Sequence, residues 1–160
     1  MTQVEAVPGP EGSAVHSTFR IEQTYPHSAA EVFRAFAQKD LVRRWRVEDD
    51  NCVVHEFAYD FRIGGSEVSR FSFAGGPDIR LDAQFQDIVP DRRIVFVYRM
   101  AVEHTTMSVS LATVELTASS DRTLLTFTEQ GVFFDGIDSA QGREEGTRAL
   151  LEKLAAQLLR

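Results

Sequence analysis

Residues 138–160 read DSAQGREEGTRALLEKLAAQLLR, and their spacing decides the fold. Leu150, Leu151, Leu154 and Leu158 recur at three- and four-residue intervals, so with Thr147 they share one face of a helix. Arg148, Glu152, Ala156 and Arg160 fall on other faces. Asp138 is placed to cap the start, with Gln141 three residues on, as in a capping box. About 22 residues at 1.5 Å each make a rod of roughly 33 Å. A rod of that length with one apolar face needs a broad apolar surface to cover. The residues before it alternate with a period of two, which makes that surface a curved sheet.

Moving back from the helix, strands are expected over residues 53–60, 68–73, 79–88, 93–98, 106–116 and 123–130. Gly64-Gly65, Gly75-Gly76-Pro77-Asp78, Pro90-Asp91 and Ser119-Ser120-Asp121 punctuate them. Strands that follow one another this closely pair as antiparallel hairpins. Further back, a first strand over residues 17–25 ends at Pro26. Ser28 then caps a helix, with Glu31 completing a capping box and Val32, Phe33, Phe36 and Ala37 as its buried stripe. Residues 39–45 read as a second short helix, with Leu41, Val42 and Trp45 inward and Arg43, Arg44 and Arg46 outward. Residues 1–16 hold Pro8, Gly9, Pro10, Gly12 and Ser13 without periodicity and are expected to be a disordered tail, leaving 17–160 as one domain. The class is α+β: a curved antiparallel sheet wrapped around a long C-terminal helix, with two short helices after the first strand.

Composition narrows the function classes. The 160 residues suit a single core. A net charge of -7 argues against nucleic acid or an anionic membrane as partner. Cys52 is the one cysteine, which excludes an intrachain disulfide and a cysteine-based zinc site. His16, His27, His55 and His104 are scattered without ligand spacing, so neither metal nor cofactor is expected. No apolar run approaches the ~20 residues of a membrane span, and no basic-then-apolar leader opens the chain, so a reducing cytoplasm is the expected location.

Twelve Phe against three Tyr and one Trp either fill a core densely or wall an apolar cavity. The candidate walls are Phe57, Phe71, Phe85, Phe96 and Phe127 from the strands and Thr147, Leu150, Leu151 and Leu154 from the helix, with Trp45 near the mouth. His55 and Tyr59 share the face of Phe57, and Glu129 shares that of Phe127. These three are the expected orienting groups. An inward Glu129 needs a partner, because an unpaired buried carboxylate costs several kcal/mol or raises its pKa. His55, Arg70 and Arg99 are the candidate partners. No Gly-x-Ser-x-Gly elbow, phosphate loop or legible nucleophile–base pair appears, which leaves no catalytic residue to name. Gly142 and Gly146 lie off the apolar stripe of the last helix: either its first turns fray, which is the favoured reading, or another segment of chain passes close.

Several local signatures coincide in order: AEVFRAF at 30–36 after the strand that ends at Pro26, LVRRW at 41–45, DFRIGG at 60–65, IVPDRRIVF at 88–96, TLLTFT at 123–128, then the long helix. Together they resemble the SRPBCC superfamily (START and Bet v 1-like, helix-grip fold). Within it, the chain is similar to proteins related to the C-terminal domain of the activator of the Hsp90 ATPase. One departure is Gly146-Thr147, where such proteins often carry Gly-Trp. The resemblance implies a cavity between sheet and helix for a lipid, polyketide or other small apolar molecule. Binding without catalysis is the expected function. A small cyclase- or hydrolase-type enzyme using the same cavity, or a stress-related interaction module like the Hsp90 activator, remain as alternatives. Residues 1–16 are too few for the activator's separate N-terminal domain, so full co-chaperone activity is not expected. A homodimer is left open.

Overall fold

The computed structural model describes residues 12–160. In chain order the elements are β1 (Ala14–Tyr25), α1 (Ala29–Ala37), α2 (Lys39–Val42), a π turn (Arg43–Val47), β2 (Cys52–Tyr59), β3 (Ser66–Phe73), β4 (Ile79–Val89), β5 (Arg93–Val102), β6 (Thr105–Ser119), β7 (Arg122–Phe134) and α3 (Ala140–Leu158). The strands form one seven-stranded sheet in the order β1-β7-β6-β5-β4-β3-β2. Every neighbouring pair is antiparallel. The α+β helix-grip arrangement expected from the alternating pattern is therefore the observed one.

The ends of the elements differ from expectation where hydrogen bonding extends past the apolar pattern. β1 opens at Ala14, so residues 14–16 pair with β7 and do not belong to a tail. The first part of the expected tail, residues 1–11, lies outside the described residues. At the other end, α3 is capped by Ser139, whose hydroxyl accepts from the Gly142 amide at 3.0 Å. Asp138, the expected cap, instead accepts from its neighbour's amide and from Arg143. Gly142 and Gly146 both lie within α3, whose helical backbone is formed from Ala140 onward. The capping box of α1 forms as expected, Ser28 and Glu31 each accepting from the other's amide.

Two irregularities rotate side chains away from the faces a regular pattern gives them. A bulge in β2 between Val54 and Glu56 turns Val54 inward and leaves His55 on the outer side. The π turn after α2 adds backbone to one turn, so Arg46 swings inward between buried Trp45 and Val47. The Gly64-Gly65 turn lies against β4: the Gly64 amide donates to the Phe85 carbonyl, and Gly65 accepts from Phe85. A side chain on Gly65 would meet the Asp60 carbonyl, and Gly64 sits at φ +81°, so both positions require glycine.

The core lies between the concave face of the sheet and α1 and α3. Leu151 and Leu154 of α3 are fully enclosed, against Ile21 and Tyr25 of β1 and Val114 and Leu125 of the central strands. Each such leucine contributes about 1.5–3 kcal/mol. Directional ties fix the layers: the Tyr25 hydroxyl donates to the Leu151 carbonyl at 2.8 Å, and the Trp45 indole donates to the Ala35 carbonyl at 2.9 Å.

Candidate functional site

The first half of α3 does not pack flush on the sheet. Between it and strands β3, β4, β5 and β7 lies a cavity of about 430 Å³. Its apolar walls are Phe71, Leu81, Phe96, Met100 and Phe127 from the strands, Leu150 and Leu151 from α3, and Phe36 and Trp45 from the first helices. Exposed Gly142, Gly146 and Ala149 on α3 and half-exposed Phe73 on β3 form the rim. Lys153 closes one end of that rim, donating to the Glu48 carbonyl at 2.7 Å. A separate depression of about 630 Å³ lies along β1, β6 and β7 on the sheet's other side. The charged groups aimed into the interior belong to the inner cavity.

The polar floor is built around Tyr98. Its hydroxyl donates to Glu129 Oε1 at 2.7 Å and accepts from Arg143 Nη1 at 2.8 Å. Ser110 donates to Glu129 Oε2 at 3.1 Å, and Arg143 Nη1 lies 3.5 Å from the same oxygen. Arg143 Nη2 donates to Ser108 at 2.7 Å and to Asp138 at 2.9 Å. The guanidinium also sits 5.4 Å from the centre of the Tyr98 ring and 5.2 Å from that of Phe133. Gly131, opposite Ser110, leaves room for that hydroxyl, which a side chain there would crowd.

Burial governs the titration of this cluster. It raises the Glu129 carboxyl above the ordinary carboxylate range, against the opposing pull of the Tyr98 hydrogen bond, the Arg143 charge and Ser110. It also raises the Tyr98 phenol. For Arg143 burial works against the charge, but Tyr98, Glu129 and Asp138 outweigh it, and the guanidinium is held more firmly protonated.

A second buried ion pair stands beside this one. Glu67 on β3 is 2% exposed and projects inward opposite Ala83. Arg46, delivered by the π turn, pairs with it and lies 5.6 Å from the centre of the Tyr59 ring. Ser69, two residues along β3, also faces the cavity and is buried.

Of the residues singled out from sequence, Trp45, Phe71, Phe96, Phe127, Glu129, Thr147, Leu150 and Leu151 line the cavity. Phe85 and Leu154 are buried in packed core instead. Tyr59 donates to the Phe36 carbonyl at 2.5 Å and stacks between Phe57 and Phe61, away from the cavity lining. Phe57 lies under Lys39 and Arg43. His55 bonds Ser72 and approaches Asp78 on the outer side. None of the expected partners reaches Glu129: Arg70 bonds Asp78 and Arg99 bonds Thr106. Arg43, Arg44 and Arg46 do not form one outward cluster, since Arg46 is turned in.

Arg143, Tyr98, Glu67 and Arg46 were not legible as site residues. Arg143 did leave a signal: it precedes Thr147 by four residues and so falls on the apolar stripe of α3, where a charge needs an inward carboxylate. Among the described residues no three His, Cys, Asp or Glu side chains converge as metal ligands. Among the described residues no helix is long and apolar enough to cross a membrane.

Comparison with known proteins agrees with this architecture. Residues 26–159 match the family described as Activator of Hsp90 ATPase homolog 1-like protein. The chain is 68% identical to the Mll3558 protein from Rhizobium loti, over 91% of this chain and 99% of that one, with a TM-score of 0.85. It is 36% identical to a protein from Rhizobium leguminosarum, over 92% and 97% of the two chains, with a TM-score of 0.88. An AHSA1-like protein from Aeromonas hydrophila shares the fold at 14% identity, over 89% and 92%, with a TM-score of 0.68. No curated protein matches the chain in sequence.

Proposed function

The chain belongs to the Activator of Hsp90 ATPase homolog 1-like family, and from that premise we propose that it binds a small, largely apolar molecule between sheet and α3, without converting it. The observation that carries this reading is the cavity of about 430 Å³, with mostly apolar walls and a hydrogen-bonded polar floor. That size lies within the range of small-molecule sites. Contact with Phe71, Phe96, Phe127 and Leu150 drives binding at about 25 cal/mol per Å² of apolar surface removed from water. The floor sets orientation. Every member of the Tyr98 cluster is held by at least one neighbour, which suits a rigid recognition surface. The free thiol of Cys52 fits a reducing, cytoplasmic setting.

Native mass spectrometry of the protein as purified tests the reading directly. A co-purified small molecule, lost on denaturation, is the expected result. A second measurement uses Trp45, the one tryptophan of the chain, which lines the cavity. Its emission should respond saturably to an apolar probe. A bare mass together with an unresponsive Trp45 would overturn the proposal.

A further inference from the structure

The charges inside the cavity point to the kind of head group its ligand carries. A pair at the rim, Lys153 with Asp49 at 3.8 Å, is partly solvated; deeper inside, the charges come as two matched pairs, Arg46 with Glu67 and Arg143 with Glu129. The carboxylates are 2% and 1% exposed, so neither pair is balanced by water. Asp138, the further acid bonded to Arg143, is at the rim and partly solvated.

A charged ligand head seated between the inner pairs meets no unpaired counter-ion, and at the rim Lys153 is already held by Asp49 and the Glu48 carbonyl. A carboxylate could reach a guanidinium only by displacing Glu67 or Glu129, which would then be buried without a partner. An ammonium head would displace an arginine in the same way. Uncompensated buried charge costs several kcal/mol, more than a short apolar tail recovers. A neutral oxygen function avoids this penalty. It also finds a group to bond: Ser69 is 3% exposed and lines the cavity, so its hydroxyl can pair with a neutral oxygen.

We propose that the ligand is an uncharged, oxygen-bearing amphiphile, such as an alcohol, ketone or ester on an apolar body, and that carboxylate and ammonium amphiphiles are rejected. The inference rests on the cavity-binding reading above and adds the head-group class.

The test is a matched series, 1-decanol, decanoate and decylammonium, titrated against Trp45 emission near neutral pH. The alcohol should bind at least roughly tenfold more tightly than either ion. Glu129→Gln leaves Arg143 with only the partly solvated Asp138 as counter-charge, so decanoate should gain on decanol in that variant. Arg143→Met leaves Glu129 unpaired and should favour decylammonium. Decanoate binding the wild-type protein as tightly as decanol would overturn the head-group inference and leave the cavity reading standing. If none of the three perturbs Trp45, both readings fall. Should a variant not fold, the wild-type comparison alone decides.

Discussion

Arg143, in the first turns of α3, lies 3.5 Å from Glu129 on β7, and one hydroxyl, that of Tyr98, is bonded to both. This joins α3 to the sheet across the floor of the cavity. Further along the helix, Leu154 packs into the core against the strands. Between the two lies the cavity, lined on this helix by Gly146, Thr147 and Leu150.

Removing the cation alone should be severe. Arg143→Met leaves a 1%-exposed carboxylate without its counter-charge, a loss of about 3–5 kcal/mol. Urea unfolding should show it as a lower midpoint with an unchanged slope. Pairing the change with Glu129→Leu removes both charges and should restore most of the loss.

All three tyrosines resist ionisation. Burial pushes Tyr59 up to about 12 and also raises Tyr25 and Tyr98 above the ordinary phenol value. A phenol whose folded pKa is raised binds its proton more tightly in the native chain than in the unfolded one. Stability from these groups is therefore complete below about pH 10 and declines as the pH rises through the folded values. Tyrosinate absorbance near 295 nm should appear together with loss of the far-ultraviolet signal. A separate, earlier titration would show that the rings are open to water.

Leu150 and Leu154 sit on the same helix in different surroundings. Leu150 lines the cavity and is half-buried, while Leu154 is wholly buried in packed core. Leu150→Trp should keep the fold and abolish uptake of an apolar fluorescent probe. Leu154→Trp overpacks the core and should cost about 1–3 kcal/mol or more. Equal effects on stability would mean that the cavity collapses in solution.

Gly146 lies inside α3, and a methyl group added there meets nothing within 4 Å. Gly146→Ala should stabilise the protein by about 1 kcal/mol, read as a melting temperature roughly 2–4 °C higher. Gly142→Ala should gain less, because Asp138 and Ser139 oxygens stand at 3.2 Å from the added carbon.

The sheet and the last helix were legible because each repeats one period over many residues. Ile94, Phe96 and Tyr98 alternate along β5, and Thr147, Leu151 and Leu154 return at helical spacing. What escaped depends on departures from a period. The bulge at His55 and the π turn at Arg46 each shift the phase by part of a residue repeat, and nothing in the local composition marks either one. The floor escaped for a different reason. Tyr98, Glu129 and Arg143 come from three elements, and periodicity reads the faces of one element at a time.

β1 lies at the sheet edge and pairs with β7, setting Ala14 opposite Phe134 and Tyr25 opposite Thr123. The first strand described thus finds its partner only after the other five strands have been made. On a ribosome it must wait, unpaired, for most of the chain. Such a distant pairing is paid in loop closure before any contact returns it, which makes folding slow for a domain of this size and keeps an apolar strand open to other chains meanwhile.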